Sequence, residues 1–365
     1  MTLEHGIGAA LVLLFLADIF LTVLYARAGT GLLAPWWNRA MWAVLRAASS
    51  LFGRRRRSLL SLAGPIIVVC LIGFWAIGLT VGTALIVRPE LGTAIRSSSG
   101  GTPTDIVTAL LVAGNSLSIV GGGDYVPHTT ATRLLFLGNS LIGASVLSLV
   151  LSYLVQVYSA LRERNALALT VDLMTDGTGD AAVMLARLLP NGEAANATSE
   201  LGNLVHSLAA VKEAHHFYPL LFYFRFHDPR YAVSRFGFVL LDLVTLIETA
   251  LDRDRYASLI ASSPVASLRR GTTLLLETLD GHFPTHEEGE RPPEVRSDKQ
   301  HAFLAAMQTL EANGIATRHG GSADYLRLRE AWDALPFRAA PAMGYRAVEI
   351  DCRSAAQPIR ATPAA

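Results

Sequence analysis

The residues best placed to do chemistry are in the stretch Asn115-Ser-Leu-Ser-Ile-Val-Gly-Gly-Gly-Asp-Tyr-Val-Pro127. Three consecutive glycines let the backbone take up φ > 0 without a Cβ clash, so successive carbonyl oxygens can point at one axis. A row of carbonyls beside the carboxylate of Asp124 is an arrangement that coordinates cations. The plainer alternative is an extracellular turn, because glycine triplets also mark loops. The other polar residues offer less. His206, His215, His216 and His227 lie close in sequence, but no two stand at the i, i+4 spacing that puts both imidazoles on one helix face, so no metal site is assigned. No Ser/His/Asp or Cys/His arrangement has local support, and no enzyme is expected. Cys70 and Cys352 do not make a disulfide framework.

The elements that would position this stretch are apolar helices. Of the 365 residues, 51% are hydrophobic and 17% charged, too apolar for a typical soluble domain. The net charge of +1 points to no nucleic-acid partner. Residues 7–26 are apolar except for Asp18. They read as a spanning helix, with a cleaved signal peptide ending near Ala26-Arg-Ala28 as the alternative; Glu4 and His5 are wrong for the basic start of a signal. Asp18 is expensive in lipid, so it is expected to face another helix or be protonated, either as a structural contact or as a coupling or proton-sensing group. Residues 59–87 and 131–158 are the second and third spans. The short run Asp105–Gly114 between them is too brief to cross, and Thr102 or Thr104 is expected to cap it. Gly138 and Gly143 could let the third span bend; Gly143 is the preferred hinge, with close packing as its alternative.

Residues 27–57 carry Arg27, Arg39, Arg46 and Arg54 to Arg57 and no acidic residue, which places them on the cytoplasmic side. Trp36, Trp37, Met41, Val44, Leu45 and Leu51 fall on one face of a helix lying at the membrane surface, either a carrier of movement or a passive anchor.

Helix, short helix, glycine-rich turn, acidic residue and helix together resemble the potassium channel family over residues 59–158. Ser118-Ile-Val-Gly-Gly-Gly-Asp124 is similar to that family's Thr-Thr-Val-Gly-Tyr-Gly-Asp, and Tyr125-Val-Pro127 continues the likeness. The resemblance implies an all-α membrane protein with a potassium-channel-like pore module: two spanning helices, a re-entrant pore helix and a filter. Here the module gains an extra N-terminal spanning helix and a helical cytoplasmic domain. It implies that Ser118, Ile119, Val120, Gly121, Gly122, Gly123 and Asp124 line an ion path, supported by Asn115 and Tyr125, with an Asn115–Asp124 hydrogen bond as one candidate support behind it. It also implies a homotetramer in the plasma membrane and no cofactor beyond a permeant potassium or sodium ion. Two departures stand out. Ile119 replaces a threonine, and Gly122 replaces the aromatic ring that normally wedges against pore-helix aromatics, where this chain has Leu111 and Val112. Weakened or lost potassium selectivity follows. The rival is a non-conducting sensor or scaffold whose cytoplasmic domain binds a ligand or protein.

The sequence divides as a first helix (1–28), a basic interfacial helix (29–57), the pore domain (58–160), a helical cytoplasmic domain (161–283), an acidic linker with two further helices (284–335) and a disordered tail (336–365). Helices are expected at about 165–189, 199–225, 230–252 and 264–282. The aromatic run Phe217–Phe226 reads as packed core rather than as a ligand pocket or subunit contact.

Overall fold

A computed structural model describes residues 2–25, 31–51, 56–119, 121–283 and 295–355, which fall into two compact units. The first comprises Met1–Ala47 with Gly64–Tyr158, the second Ala48–Ala63 with Ser159–Ala365. The candidate cleavage site at 26–28, the arginines at 54 and 55, and Val120 lie outside the described residues.

In the first unit, α1 (Leu3–Ile19, continued by a π turn to Leu24) packs on α4 (Ala63–Val87). Between them come α2 (Ala34–Ser50) and the short α3 (Arg56–Ser61), which belongs with the second unit. Leu3–Leu24, Ala63–Glu90 and Thr130–Met174 are long and apolar enough to cross a membrane, so the chain is a mostly helical membrane protein. Phe15, Ile19, Leu71, Trp75, Leu79 and Val150 form the core among them, with Trp37 stacked on Phe74 at 4.2 Å.

Asp18 is fully buried and makes the structural contact between helices. Its Oδ1 accepts from the Leu33 and Ala34 amides at 2.7 and 3.2 Å, and its Oδ2 accepts from the Trp75 indole at 2.7 Å. A carboxylate thus caps the start of α2 from another helix, where the helix dipole favours negative charge. Asp18→Leu leaves these donors unpaired and is expected to cost about 1–3 kcal/mol for each buried group. Thermal unfolding in detergent checks this.

After α4, β1 (Ile95–Ser97) pairs antiparallel with β2 (Tyr125–Pro127), a small ribbon in an otherwise helical chain. Between the strands lies α5 (Ile106–Leu117). Asp105 itself caps α5, accepting from the Val107 and Thr108 amides at 2.9 and 3.0 Å; the expected threonine cap is displaced because the carboxylate already satisfies both amides. The next helix, α6, runs from Thr130 to Met174. It continues past the expected end near 158 because no glycine or proline interrupts the sequence between Gly143 and Gly177.

The second unit is helical. Asp176, Gly177 and Gly179 take positive φ and turn the chain after α6, so the expected helix at 165–189 is split. There follow α7 (Ala181–Leu188), α8 (Ala197–Phe217), α9 (Val233–Thr249), α10 (Ala257–Ile260), α11 (Ser263–His282), α12 (Val295–Ala312) and α13 (Ser322–Trp332). α8 stops at Phe217 rather than near 225 because Pro219 lacks the N–H that would continue it. The aromatic run then forms a 3₁₀ turn, Pro219–Tyr223, whose Leu220 to Phe224 are buried as core. α9 is buried almost all round and is the helix about which α7, α11 and α13 pack.

The tail expected to be disordered from residue 336 is structured over its described residues, 336–355. It forms α14 (Ala334–Ala342), α15 (Ala347–Ile350) and a final turn, Cys352–Ala355. Ala340, Met343, Tyr345 and Ile350 in it are buried, while Val348 is exposed. Asp351 and Arg353 join a buried charge cluster in which Asp242 accepts from Tyr325 at 2.6 Å, Arg329 at 3.0 Å and Arg353 at 2.7 Å. The rest of the tail, 356–365, and the linker segment 284–294 lie outside the described residues.

Candidate functional site

The glycine segment is anchored at both ends. At its start, α5 delivers Ser116, Leu117 and Ser118. Ser116 is buried; its hydroxyl accepts from Asn139 Nδ2 at 3.0 Å and donates to the Ala113 carbonyl at 2.8 Å. The Ser116 carbonyl accepts from the Ser140 hydroxyl at 3.1 Å. One turn further along α6, Gly143 lies directly against the Leu117 carbonyl, and a Cβ built there would overlap that oxygen. α5 therefore ends on the face of α6 made by Asn139, Ser140 and Gly143.

The far end is held by the ribbon. The Asp124 carbonyl accepts from the Ser98 amide at 2.8 Å and from its hydroxyl at 3.3 Å. Tyr125 opens β2 and packs half-buried on a cluster that includes Val87, Ile95, Ala109 and Val112. Between the anchors, Gly121 sits at φ +68, a conformation L side chains rarely adopt, and its amide donates to the Ser118 carbonyl at 3.3 Å. Ile119, Gly121, Gly122, Gly123 and Asp124 are exposed in the single chain, and Ile119 offers no side-chain oxygen.

Comparison with protein-family models, with curated proteins and with solved structures found no match to this chain.

Among the described residues no hydrogen bond joins Asn115 to Asp124. Asn115 instead fills the space behind Gly122, where a Cβ would overlap its side-chain amide. This gives a local reason for glycine at the position where the resembling family carries a ring. Of Leu111 and Val112, Val112 is buried in the cluster on which Tyr125 packs and Leu111 is about half exposed. Gly138 meets open space, so its side of α6 is uncrowded, in contrast to Gly143.

The sequence did not single out Ser116, Asn139, Ser140 or Ser98. Its available signal was the pair Asn139-Ser140 inside an otherwise apolar run, where a buried amide needs a partner. Among the described residues no group of three or more His, Cys, Asp or Glu could hold a metal. His215 is fully buried in the second unit, its Nδ1 2.8 Å from the Val211 carbonyl and its ring 4.5 Å from that of Phe222.

Burial, with the Arg164 charge adding to it, lowers the His215 pKa from 6.5 to about 3. The folded state therefore holds this ring neutral while the unfolded chain protonates it. The stability is fully present above about pH 6.5 and is lost as pH falls toward 3. About 2 kcal/mol is expected to disappear between pH 7 and pH 5. Chemical unfolding at the two pH values checks this, and His215→Phe should flatten the dependence.

Proposed function

We propose that four copies of this chain form a potassium-channel-like pore that passes cations down their gradient. The observation that carries the reading is the glycine segment. It is tethered by α6 at one end and by the ribbon at the other, follows a helix too short to span, and stands between two helices long enough to do so. The 12 residues of α5 give about 18 Å, against a hydrocarbon layer of roughly 30 Å. Irregular backbone at that depth is tolerated where it lines a water-filled path, which agrees with this setting. One segment per chain cannot enclose an ion, so cyclic symmetry is required.

In this reading, carbonyls of residues 118–122 replace the hydration shell of the ion and Asp124 stands at the outer mouth. Ile119 removes the hydroxyl of the innermost site, and Gly122 removes the ring of the cuff, so potassium is weakly preferred over sodium or not at all. The N-terminus lies outside, the arginine-rich residues 27–57 face the cytoplasm, and the helical second unit is cytoplasmic, where it takes part in gating with α6. The membrane is the plasma membrane.

Flux into liposomes under potassium, sodium and chloride gradients tests this. Cation flux from the wild type that Gly121→Ala abolishes is expected, since alanine is strained at positive φ. The absence of cation flux under every gradient would favour the non-conducting sensor or scaffold.

A further inference from the structure

We infer that the polar clasp between α5 and α6 sets which cation the segment prefers, by fixing the inner end of the filter directly to the inner helix. The inference rests on the pore reading and names a positioning residue of that same site. The two ends of the segment are held differently. The outer end is tied to β1 and Ser98, a local ribbon. The inner end is tied to α6 itself, over the single turn that contains Asn139, Ser140 and Gly143.

Three contacts act together there. Asn139 is buried and donates to the buried Ser116 hydroxyl. Ser140 donates to the Ser116 carbonyl. The Leu117 carbonyl rests on α6 where Gly143 has no side chain. The next residue is Ser118, the first of the segment, and its amide is bonded to the Gly114 carbonyl at 2.9 Å inside α5. A turn or slide of α6 at residues 139–143 must therefore either carry Ser116 and Leu117 with it or break both hydrogen bonds. In either case the first carbonyls of the segment move. Between its anchors the segment is built on three consecutive glycines, whose backbone yields readily to such a displacement. The Gly121 amide, bonded to the Ser118 carbonyl, passes the movement along the segment. Asn139 is thus a positioning residue that acts through Ser116 on the first carbonyls of the segment.

The test compares the potassium-to-sodium flux ratio in liposomes for the full-length wild type, Asn139→Leu, Ser116→Ala, the double variant and Ser140→Ala. Asn139→Leu keeps the branched, four-atom side-chain skeleton, though with a larger volume, and deletes the donor. It is expected to shift the ratio about fivefold, the worth of one net hydrogen bond. Because Asn139 and Ser116 act through one bond, the double variant should match Asn139→Leu rather than multiply the two effects. Ser140→Ala should shift the ratio in the same direction.

An unchanged ratio in Asn139→Leu, with oligomer size and melting temperature as in the wild type, overturns the inference and leaves the pore reading intact. Multiplying effects in the double variant also overturn it. If Asn139→Leu does not assemble, Ser116→Ala and Ser140→Ala are read by the same criterion. A wild type without cation flux overturns the pore reading and this inference together.

Discussion

Gly143→Ala is expected to abolish flux and to lower the stability of the membrane unit by several kcal/mol. Alanine is the better helix former, so on propensity alone this change stabilises a helix by about 1 kcal/mol. At a hinge it would stiffen α6 and leave the contact with α5 in place. The structure assigns a different outcome, because the added Cβ would overlap the Leu117 carbonyl oxygen. The end of α5 must move off α6, at the roughly 1–3 kcal/mol typical of overpacking. The bonds from Asn139 and Ser140 to Ser116 are then strained or lost, at about 1 kcal/mol each. Gly138→Ala is the matched control. Nothing lies within 4 Å of a Cβ there, so it should be neutral or slightly stabilising. Thermal unfolding and flux on the two variants give the comparison, and equal behaviour would contradict the packing account.

Arg329→Met is expected to destabilise the helical unit by about 3–5 kcal/mol, the usual cost of removing one member of a buried ionic group. The Arg329 guanidinium reaches Asp242 at 3.0 Å, Asp333 at 3.2 Å and Asp351 at 3.2 Å, and lies over the Phe238 ring at 4.8 Å. Arg353 reaches Asp242 and Asp351, and Lys299 reaches Asp333 at 2.8 Å. Three carboxylates thus face three cations, and the substitution would leave the set one positive charge short. Methionine keeps much of the packing volume, so the loss reports on charge. Urea unfolding of the full chain measures it. The contacts of Asp351 and Arg353 tie the turn Cys352–Ala355 to α9 and α13, so the same change should expose residues 347–355 to proteolysis.

Hydropathy made the spans legible, because a run of apolar residues near the bilayer thickness has few other readings. The short helix before the glycines was legible for the converse reason: it is too short to cross. What the sequence could not supply were partners distant along the chain. Asp18 is visible as a costly charge, yet nothing local says that it caps a helix beginning at Ala34 and holds Trp75. Asn139 looks like an isolated polar residue until α5 is placed beside it. Composition misled at the C-terminus. Alanine, proline and arginine between 336 and 355 read as disorder, but order there needs only a few buried side chains and two charged ones that fit an existing cluster. The helix boundaries at 174 and 217 followed glycine and proline, and the expectation that ended α6 near 158 had no such residue behind it.

The central claim is that four glycine segments meet on one axis within the membrane. A density map of the purified protein in a lipid disc tests it most directly. The account predicts a particle of four chains with residues 118–124 of each lining a common axis and ion density between their carbonyls. A monomer, or a particle in which those residues face the outer water away from any symmetry axis, would contradict it.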